Sequence, residues 1–302
     1  MPTELLWITR SSTAAWAWLD SSNRGVPIQA QFRPEEESPL SLARQEFARF
    51  LAGQRIGGGR VAQLLLPLSA EFDSPPQLAA ALLPKLLPRE QAKAALPDWT
   101  SVLRSWEHAF ATALPKIADE LPLRLGPIRE LAESYLPGLL HTLSRIGDQQ
   151  LLPSRARIVV IPPFEGGLSR SFPLNNTVLW EGLLANVEPR LPEVLRLCWA
   201  IAQLNLEMPC LIGNTSTELA CRAGSWGMIP LALHAGSELE LCRCDHDTAQ
   251  LAAMTWLPEP WNESLSTEST MSIVWNWWET YAVTRPAWPI AIGALIKMLD
   301  AE

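Results

Sequence analysis

Residues 175–205 read NNTVLWEGLLANVEPRLPEVLRLCWAIAQLN, and the fold of the C-terminal half depends on this stretch. The β-branched and aromatic residues at 177–182 predict a strand, because such side chains pack well on a pleated surface. A turn with prolines follows, and 191–205 then predicts a helix that is apolar on most of its circumference. Helices of that kind are buried, so we expect 191–205 to be the central core element of this half.

Further strand signals lie before and after this stretch. ELLWITR at Glu4–Arg10 and RIVVIPP at Arg157–Pro163 predict strands because they are rich in β-branched and apolar residues. Three short apolar runs closer to the C-terminus also predict strands: PCLIG at 209–213, MIPLAL at 228–233 and ELELCRC at 238–244. Strands are therefore expected at both ends of the chain.

The middle of the chain, residues 76–152, is rich in alanine and leucine and predicts a helical region. Prolines interrupt it at intervals, and each interior proline removes a helix hydrogen bond and bends or ends the helix. Several short helices are therefore expected here rather than a few long ones. The prolines concerned are Pro84, Pro88, Pro97, Pro115, Pro122 and Pro137.

An earlier segment, SPLSLARQEFARFLAG, predicts a capped helix. Ser38 suits the N-cap, Pro39 the first helical position and Gly53 the position just past the end. Gly57–Gly59 then precede an apolar run at Val61–Leu68 that is typical of a strand. A glycine loop that binds phosphate follows a strand and opens a helix, which is the reverse order, so we expect only a flexible turn.

These patterns predict a helix-rich α+β protein, with mixed or antiparallel sheet elements at both ends and a helical middle region. The expected segments are an N-terminal α/β segment at 1–75, a helical region at 76–152, and a C-terminal α+β segment at 153–302 that contains the buried helix 191–205. One continuous domain is the alternative to this division.

The order strand, loop, strand, helix in the C-terminal half resembles the core layout of zincin metallopeptidases. In that family the helix carries His-Glu-x-x-His, in which two histidines bind zinc and the glutamate activates water. The helix at 191–205 has no histidine. The resemblance rests on element order alone, and it implies a degenerate zincin-like core that has lost its metal chemistry.

Two residues are candidates for catalysis. Cys198 is the one side chain of nucleophilic type on the helix at 191–205, but cysteine catalysis also needs a nearby base. Glu165 follows a predicted strand and precedes Gly166 and Gly167, where a backbone can approach a ligand closely. The alternatives are a buried apolar thiol at Cys198 and a solvated loop carboxylate at Glu165.

A zinc site is the one cofactor to consider, in LCRCDHD at 241–247. On a strand, Cys242, Cys244 and His246 would project from one face, with His234 or Cys221 as a fourth ligand. The spacing departs from the usual Cys-x2-4-Cys, and a second pair of that kind is missing. A strand end with two packed thiols, and no cofactor, is the alternative.

Composition excludes several classes of function. The chain has 302 residues, of which 48% are hydrophobic, as in a globular protein with a core. A net charge of −8 without a basic stripe argues against nucleic-acid binding and against an anionic membrane surface. With five cysteines and no signal peptide at the start given, reduced thiols and a cytoplasmic location are expected.

Tryptophan and proline are abundant, with 14 and 26 residues. They lie close together in three stretches, at 96–100, 255–262 and 284–291, where tryptophan either lines an exposed groove or fixes a loop onto the core. The resulting hypothesis is a non-catalytic binding or assembly module that uses a Trp/Pro-rich surface to bind a protein partner or itself. The alternative is a hydrolase-like or decayed metallopeptidase-like enzyme without His-Glu-x-x-His.

Overall fold

A computed structural model describes residues 3–25, 27–35, 37–257, 261 and 265–301. In that part of the chain the strands are β1 (Glu4–Thr9), β2 (Arg155–Ile161), β3 (Ser169–Phe172) and β4 (Thr177–Glu181). The helices are α1 (Ser11–Asn23), α2 (Pro39–Gln54), α3 (Gly58–Ser69), α4 (Pro75–Leu86), α5 (Arg89–Ala113), α6 (Ile117–Ile146), α7 (Glu193–Ile201), α8 (Pro209–Ile212), α9 (Thr217–Glu238), α10 (His246–Trp256), α11 (Thr267–Thr284) and α12 (Trp288–Leu299). The predicted helix-rich α+β class is confirmed. Among these described helices none is long and apolar enough to cross a membrane.

The four strands form one small mixed sheet in the order β1-β2-β4-β3. β3 and β4 are antiparallel, with Ser169 opposite Trp180 and Phe172 opposite Thr177. Strands β1, β2 and β4 were predicted, and every residue of β4 is buried. β3 was not predicted, because its sequence SRSF has no β-branched residue and it is specified by pairing with β4.

The chain divides into two compact units. The N-terminal unit comprises residues 7–126 and 159–168, and the C-terminal unit comprises the described residues up to 6 together with 127–158 and those from 169 onward. In the N-terminal unit, α5 packs on α1, α2 and α4, and α3 packs on α1 and α4. In the C-terminal unit, α9 packs on α7, α10, α11 and α12.

Buried aromatic rings form the core of the N-terminal unit. The ring of Trp16 lies 5.5 Å from Phe47 and 6.0 Å from Trp106, and Trp18 lies 5.8 Å from Trp106. Trp106 donates its indole N–H to the Ala15 carbonyl at 3.2 Å, Trp16 to Glu107 at 3.1 Å and Trp18 to the Phe32 carbonyl at 3.0 Å. These bonds satisfy the polar atoms of the three buried rings, whereas Trp99 Nε1 is buried without a partner among the described residues.

The C-terminal unit has a comparable aromatic core. Trp277 stacks on Tyr281 at 5.1 Å and donates its indole N–H to the Ala291 carbonyl at 2.9 Å. Trp199, on α7, lies 5.7 Å from Trp256 and donates to the Ser225 carbonyl at 2.8 Å. These contacts fix α7, α10, α11 and α12 within the unit.

The tryptophans therefore do not form the exposed surface that was predicted. Twelve of the 14 are buried, and Trp7 and Trp275 are half-buried. An indole has a large apolar area, and its removal from water outweighs any stabilisation from an exposed position. In the stretch 255–262, residues 258–260 and 262 lie outside the described residues.

The helical middle region differs from the prediction of several short helices. α5 continues through Pro97, and α6 has 30 residues and continues through Pro122, Pro127 and Pro137. All four prolines are exposed, so the carbonyl that loses its partner can bond to water. Burial of the opposite face, with Trp99 and Leu136 almost inaccessible, keeps the helices continuous.

The predicted turn and strand at Gly57–Leu68 are also wrong, because this segment is α3. Val61, Leu65, Leu66 and Leu68 are buried at helical spacing. Gly58 and Gly59 lie in the first turn, where the cost of glycine is offset by the packing that follows. A short apolar run does not distinguish the periodicity of a helix from that of a strand, so burial determines its conformation.

The three strands predicted near the C-terminus are absent from the described residues there. PCLIG is the short helix α8, MIPLAL is the interior of α9, and ELELCRC is the end of α9 followed by a turn. α9 is buried on most sides from Ala223 to Gly236, so its sequence lacks the polar stripe that identifies a surface helix.

Helix α2 begins as predicted and ends differently. The Ser38 hydroxyl accepts a hydrogen bond from the Ser41 amide, and Pro39 occupies the first turn. Gly53 lies within the helix, and Arg55 adopts the left-handed conformation, with φ of 56°. Glycine is the usual residue at such an end, since it has no Cβ to oppose this conformation.

Candidate functional site

Glu165 lies in the loop between β2 and β3 and is held by the end of α1. Its carboxylate accepts hydrogen bonds from the Ser21 hydroxyl and the Arg24 guanidinium. Arg24 Nε also contacts Asp20 Oδ2 at 3.0 Å. The side chains of Glu165 and Asp20 are only 11% and 10% exposed. These contacts fasten the loop onto α1 within the N-terminal unit.

The glycine after Glu165 leaves room for another side chain of the same protein. Gly166 has φ of +90°, and a Cβ there would lie 2.7 Å from Gln29 Nε2. The Gln29 amide donates to the Phe164 carbonyl at 2.8 Å, and Phe164 is buried against Phe32 at 5.1 Å. The side chain of Gln29 therefore occupies the space beside Gly166 in which a ligand was expected.

Cys198 lies in the interior of α7, which has all nine residues buried. Burial raises the pKa of the Cys198 thiol to about 12. A cysteine nucleophile needs the opposite shift, since the thiolate is the reactive form. The environment of Cys198 therefore favours a packing role.

An ion pair lies beside Cys198 on α7. Glu193 and Arg196 form a buried salt bridge, and Asn186 Oδ1 accepts from the Glu193 amide at 3.0 Å. Burial raises the pKa of Glu193, and it lowers the pKa of Arg196, which the carboxylates of Glu193 and Glu181 oppose. Removal of one partner would leave a buried unpaired charge, so the pair constrains how α7 is placed.

The zinc candidates lie around the end of α9 and the start of α10. The Cys242 thiol lies 3.5 Å from the Leu233 carbonyl and the Cys244 thiol 3.9 Å from the Pro230 carbonyl. Burial raises the pKa of Cys242 to about 11 and those of Cys244 and Cys221 to about 12. Zinc binds thiolates, so these shifts disfavour the ligand form.

The two candidate histidines contact different partners. His234 Nε2 lies 3.4 Å from Glu238 Oε1, and its ring is 5.6 Å from that of Trp278. His246 is the first residue of α10, with Nε2 3.2 Å from the Ser272 hydroxyl. Within the described residues no group of three or more His, Cys, Asp or Glu is placed to hold a metal ion.

A cavity of about 600 Å³ lies in the N-terminal unit at the start of α1. The first residues of α1 line it, together with one face of α5. Its polar lining includes Arg10, Ser11, Ser12, Arg104, Glu107 and His108. Its apolar wall includes Pro75, Phe110 and Leu121, so the cavity has a polar end and an apolar side.

An apolar groove of about 480 Å³ lies on the same unit, along α4 and α5. Leu83 and Ala92 are buried and form its floor, while Leu87 and Leu96 are half-buried and form its sides. Its charged lining residues are two cations: Arg89 and Lys93. Lys93 lies 3.5 Å from Glu90, and both are well exposed, so this ion pair is weak.

None of the residues that line the cavity and the groove was singled out as a functional candidate from the sequence. A signal for the cavity was present on α5, where Arg104, Glu107 and His108 lie three and four positions apart and therefore share a face. The partner of that face, the start of α1, is about ninety residues away, so only the folded chain brings them together.

Comparison with known proteins gives no family for this chain, since no family model, curated protein or solved structure matches it.

Proposed function

We propose that the protein is a non-catalytic binding module that takes up an apolar, acidic segment of a partner protein in the groove along α4 and α5. The observation that carries the proposal is an open apolar groove in which the charged lining residues, among those that the structure describes, are Arg89 and Lys93. A partner's apolar side chains would fill the space between Leu83, Leu87 and Leu96, and its carboxylates would meet the two cations.

The sequence predicted a Trp/Pro-rich binding surface. Proline contributes to the groove, whereas tryptophan is not among its described lining residues. Pro84 lines the groove and is exposed. It lies in the last turn of α4, where the helix gives way to the extended residue Leu87. Because proline has a fixed φ, this part of the groove should lose little conformational entropy when a partner binds.

The hydrolase-like alternative, with a decayed zincin-like core, has less support. It would need an activated group at Cys198 or Glu165, and the first is a buried thiol while the second is paired with Arg24. The binding proposal needs no such group, since it rests on apolar area and charge.

The test uses two labelled helical peptides of equal length, each with leucines spaced three and four apart. One carries glutamates beside the leucines and the other carries lysines. Fluorescence anisotropy should show saturable binding of the acidic peptide and at least about tenfold weaker binding of the basic peptide. Equal affinity for both peptides, or no saturation with either, would overturn the proposal.

Matched variants locate the binding. Leu96→Asp should abolish binding of the acidic peptide, whereas Leu42→Asp, at an exposed leucine of α2, should leave it unchanged. Arg89→Glu combined with Lys93→Glu should reverse the preference between peptides. If instead the protein forms a dimer that Leu96→Asp dissociates in light scattering, the groove serves self-association and the partner proposal is wrong.

A further inference from the structure

The cavity at the start of α1 is separate from the groove and brings together several groups that bind anions. We propose that it binds an organic oxyanion, namely a phosphate or carboxylate group carried on an apolar body. The inference is independent of the proposed peptide binding, because it rests on other residues of α1 and α5.

The start of α1 supplies backbone donors. The first amides of a helix have no partner inside it, and the helix dipole places partial positive charge there. Here Arg10 occupies the N-cap, no described side chain caps the helix, and its first turn contains no acidic residue. Ser11 and Ser12 line the cavity, so the amides and hydroxyls of this turn are available to oxygen atoms of a ligand.

Basic side chains line the same space. Arg104 and His108 are exposed residues one turn apart on α5, and Arg104 forms no ion pair with any residue that the structure describes. Arg10 Nη1 lies 2.8 Å from Asp73 Oδ1, which offsets the charge of that carboxylate. A guanidinium that has no ion pair among the described residues and lines the same cavity as a helix start is suited to a planar or tetrahedral oxyanion.

The remaining carboxylate of the lining, Glu107, already has a hydrogen-bond donor inside the protein. It accepts a hydrogen bond from the indole N–H of Trp16 at 3.1 Å. Burial raises the pKa of Glu107, which favours its neutral form. The N-terminal unit as a whole has equal numbers of basic and acidic residues, so it does not carry the excess negative charge of the chain.

The apolar wall determines what the anionic group is attached to. Phe110 and Leu121 are buried core residues with one side on the cavity, and Pro75 and Pro122 lie beside them. Sites for small organic ligands have volumes of roughly 300–1,000 Å³ and combine an apolar wall with a few polar groups. At about 600 Å³, the cavity is much larger than a free phosphate ion needs.

The test is isothermal titration of the full chain with four probes: phenyl phosphate, phenylacetate, inorganic phosphate and benzyl alcohol. We expect saturable binding of phenyl phosphate or phenylacetate, or of both, at concentrations below about 10 mM. The stronger of the two identifies the preferred oxyanion. Inorganic phosphate should bind at least about tenfold more weakly, and benzyl alcohol should not bind.

Variants at exposed arginines provide the control. Arg104→Gln should weaken binding of the aromatic anion about tenfold, whereas Arg49→Gln, which makes the same charge change on α2, should leave it unchanged. Both variants should keep the unfolding midpoint of the parent chain. Equal loss with both variants, tightest binding of benzyl alcohol, or no saturation with either aromatic anion would overturn the proposal.

Discussion

The carboxylate of Glu165 accepts hydrogen bonds from Ser21 and Arg24, and both donors belong to the end of α1. Since Arg24 also contacts Asp20, the cluster has two carboxylates and one guanidinium in a largely buried position. Such a cluster is stable only while each charge keeps its partners, because an unpaired charge at low exposure is costly.

Glu165→Gln should therefore lower the free energy of unfolding by about 1–3 kcal/mol, because the charged hydrogen bonds to Ser21 and Arg24 are weakened. Urea denaturation followed by circular dichroism measures this change. Glu46→Gln, at an exposed position of α2, is the matched control and should change the value by less than about 0.5 kcal/mol. If both variants behave alike, the cluster around Glu165 does not contribute to stability.

Glu165 also shows how far single residues can be interpreted from sequence. Its position between a strand and two glycines was predicted to let the backbone approach a ligand closely. The group that lies close to Gly166 is the side chain of Gln29, 137 positions earlier in the chain, and no local pattern indicates this contact. For Cys198 the local sequence is more informative, because the apolar residues on both sides of it already favour a buried thiol.

At the scale of elements, the interior prolines of α5 and α6 have a measurable consequence. Pro137 is exposed and lies within α6, so it has no amide to donate to the carbonyl of Glu133. The helix continues because its opposite face is buried through Leu136, Leu139 and Leu143. The helix is therefore continuous because of its packing, and Pro137 lowers its stability by removing one hydrogen bond.

Pro137→Ala should consequently raise the free energy of unfolding by about 1–2 kcal/mol, since it restores a helix hydrogen bond that outweighs the greater entropy of the unfolded chain. Pro39→Ala is the control, because Pro39 lies in the first turn of α2, where its missing amide has no helical partner. That variant should be neutral or slightly destabilising. A decrease in stability for Pro137→Ala would contradict the argument.

Strand β1 was predicted from its composition alone, whereas β2, β4 and α2 were each predicted from two agreeing local signals. β2 and β4 combine β-branched residues with turn residues at their ends, and α2 combines a serine cap with proline in its first turn. α3 and the middle of α9 have apolar runs without such a signal, and both were predicted as strands. Their conformation follows from burial against other helices, which one sequence does not show.

At the scale of the whole molecule, buried tryptophan rings form much of the core in both units. The abundance of tryptophan was visible in the sequence, and the interpretation that it fixes loops onto the core was one of two alternatives. The structure shows burial of these rings, and the indole N–H groups of Trp18, Trp106 and Trp277, which all lie on helices, bond to carbonyls inside their own units. Which carbonyl is within reach depends on the fold, so the sequence alone could not decide.

Fully and partly buried thiols should make the stability of the whole molecule depend on pH in the alkaline range. Burial raises the pKa of Cys198, Cys221 and Cys244 to about 12 and that of Cys242 to about 11, from an ordinary value near 9. Above about pH 9 the unfolded chain releases these protons while the folded chain retains them. The unfolded state then binds fewer protons, so the free energy of unfolding must fall as pH rises.

We expect urea midpoints under reducing conditions to fall between about pH 8 and pH 10, because each retained proton contributes a slope of about 1.4 kcal/mol per pH unit. Cys198 is fully buried, so the proton it retains should contribute one such slope. Cys198→Ala is less stable at every pH because it leaves a cavity, yet its stability should fall less steeply with pH. Cys210→Ser, at an exposed cysteine, should keep the parent slope. Equal slopes for both variants would mean that Cys198 is not the origin of this dependence, since a cavity lowers stability without changing how it varies with pH.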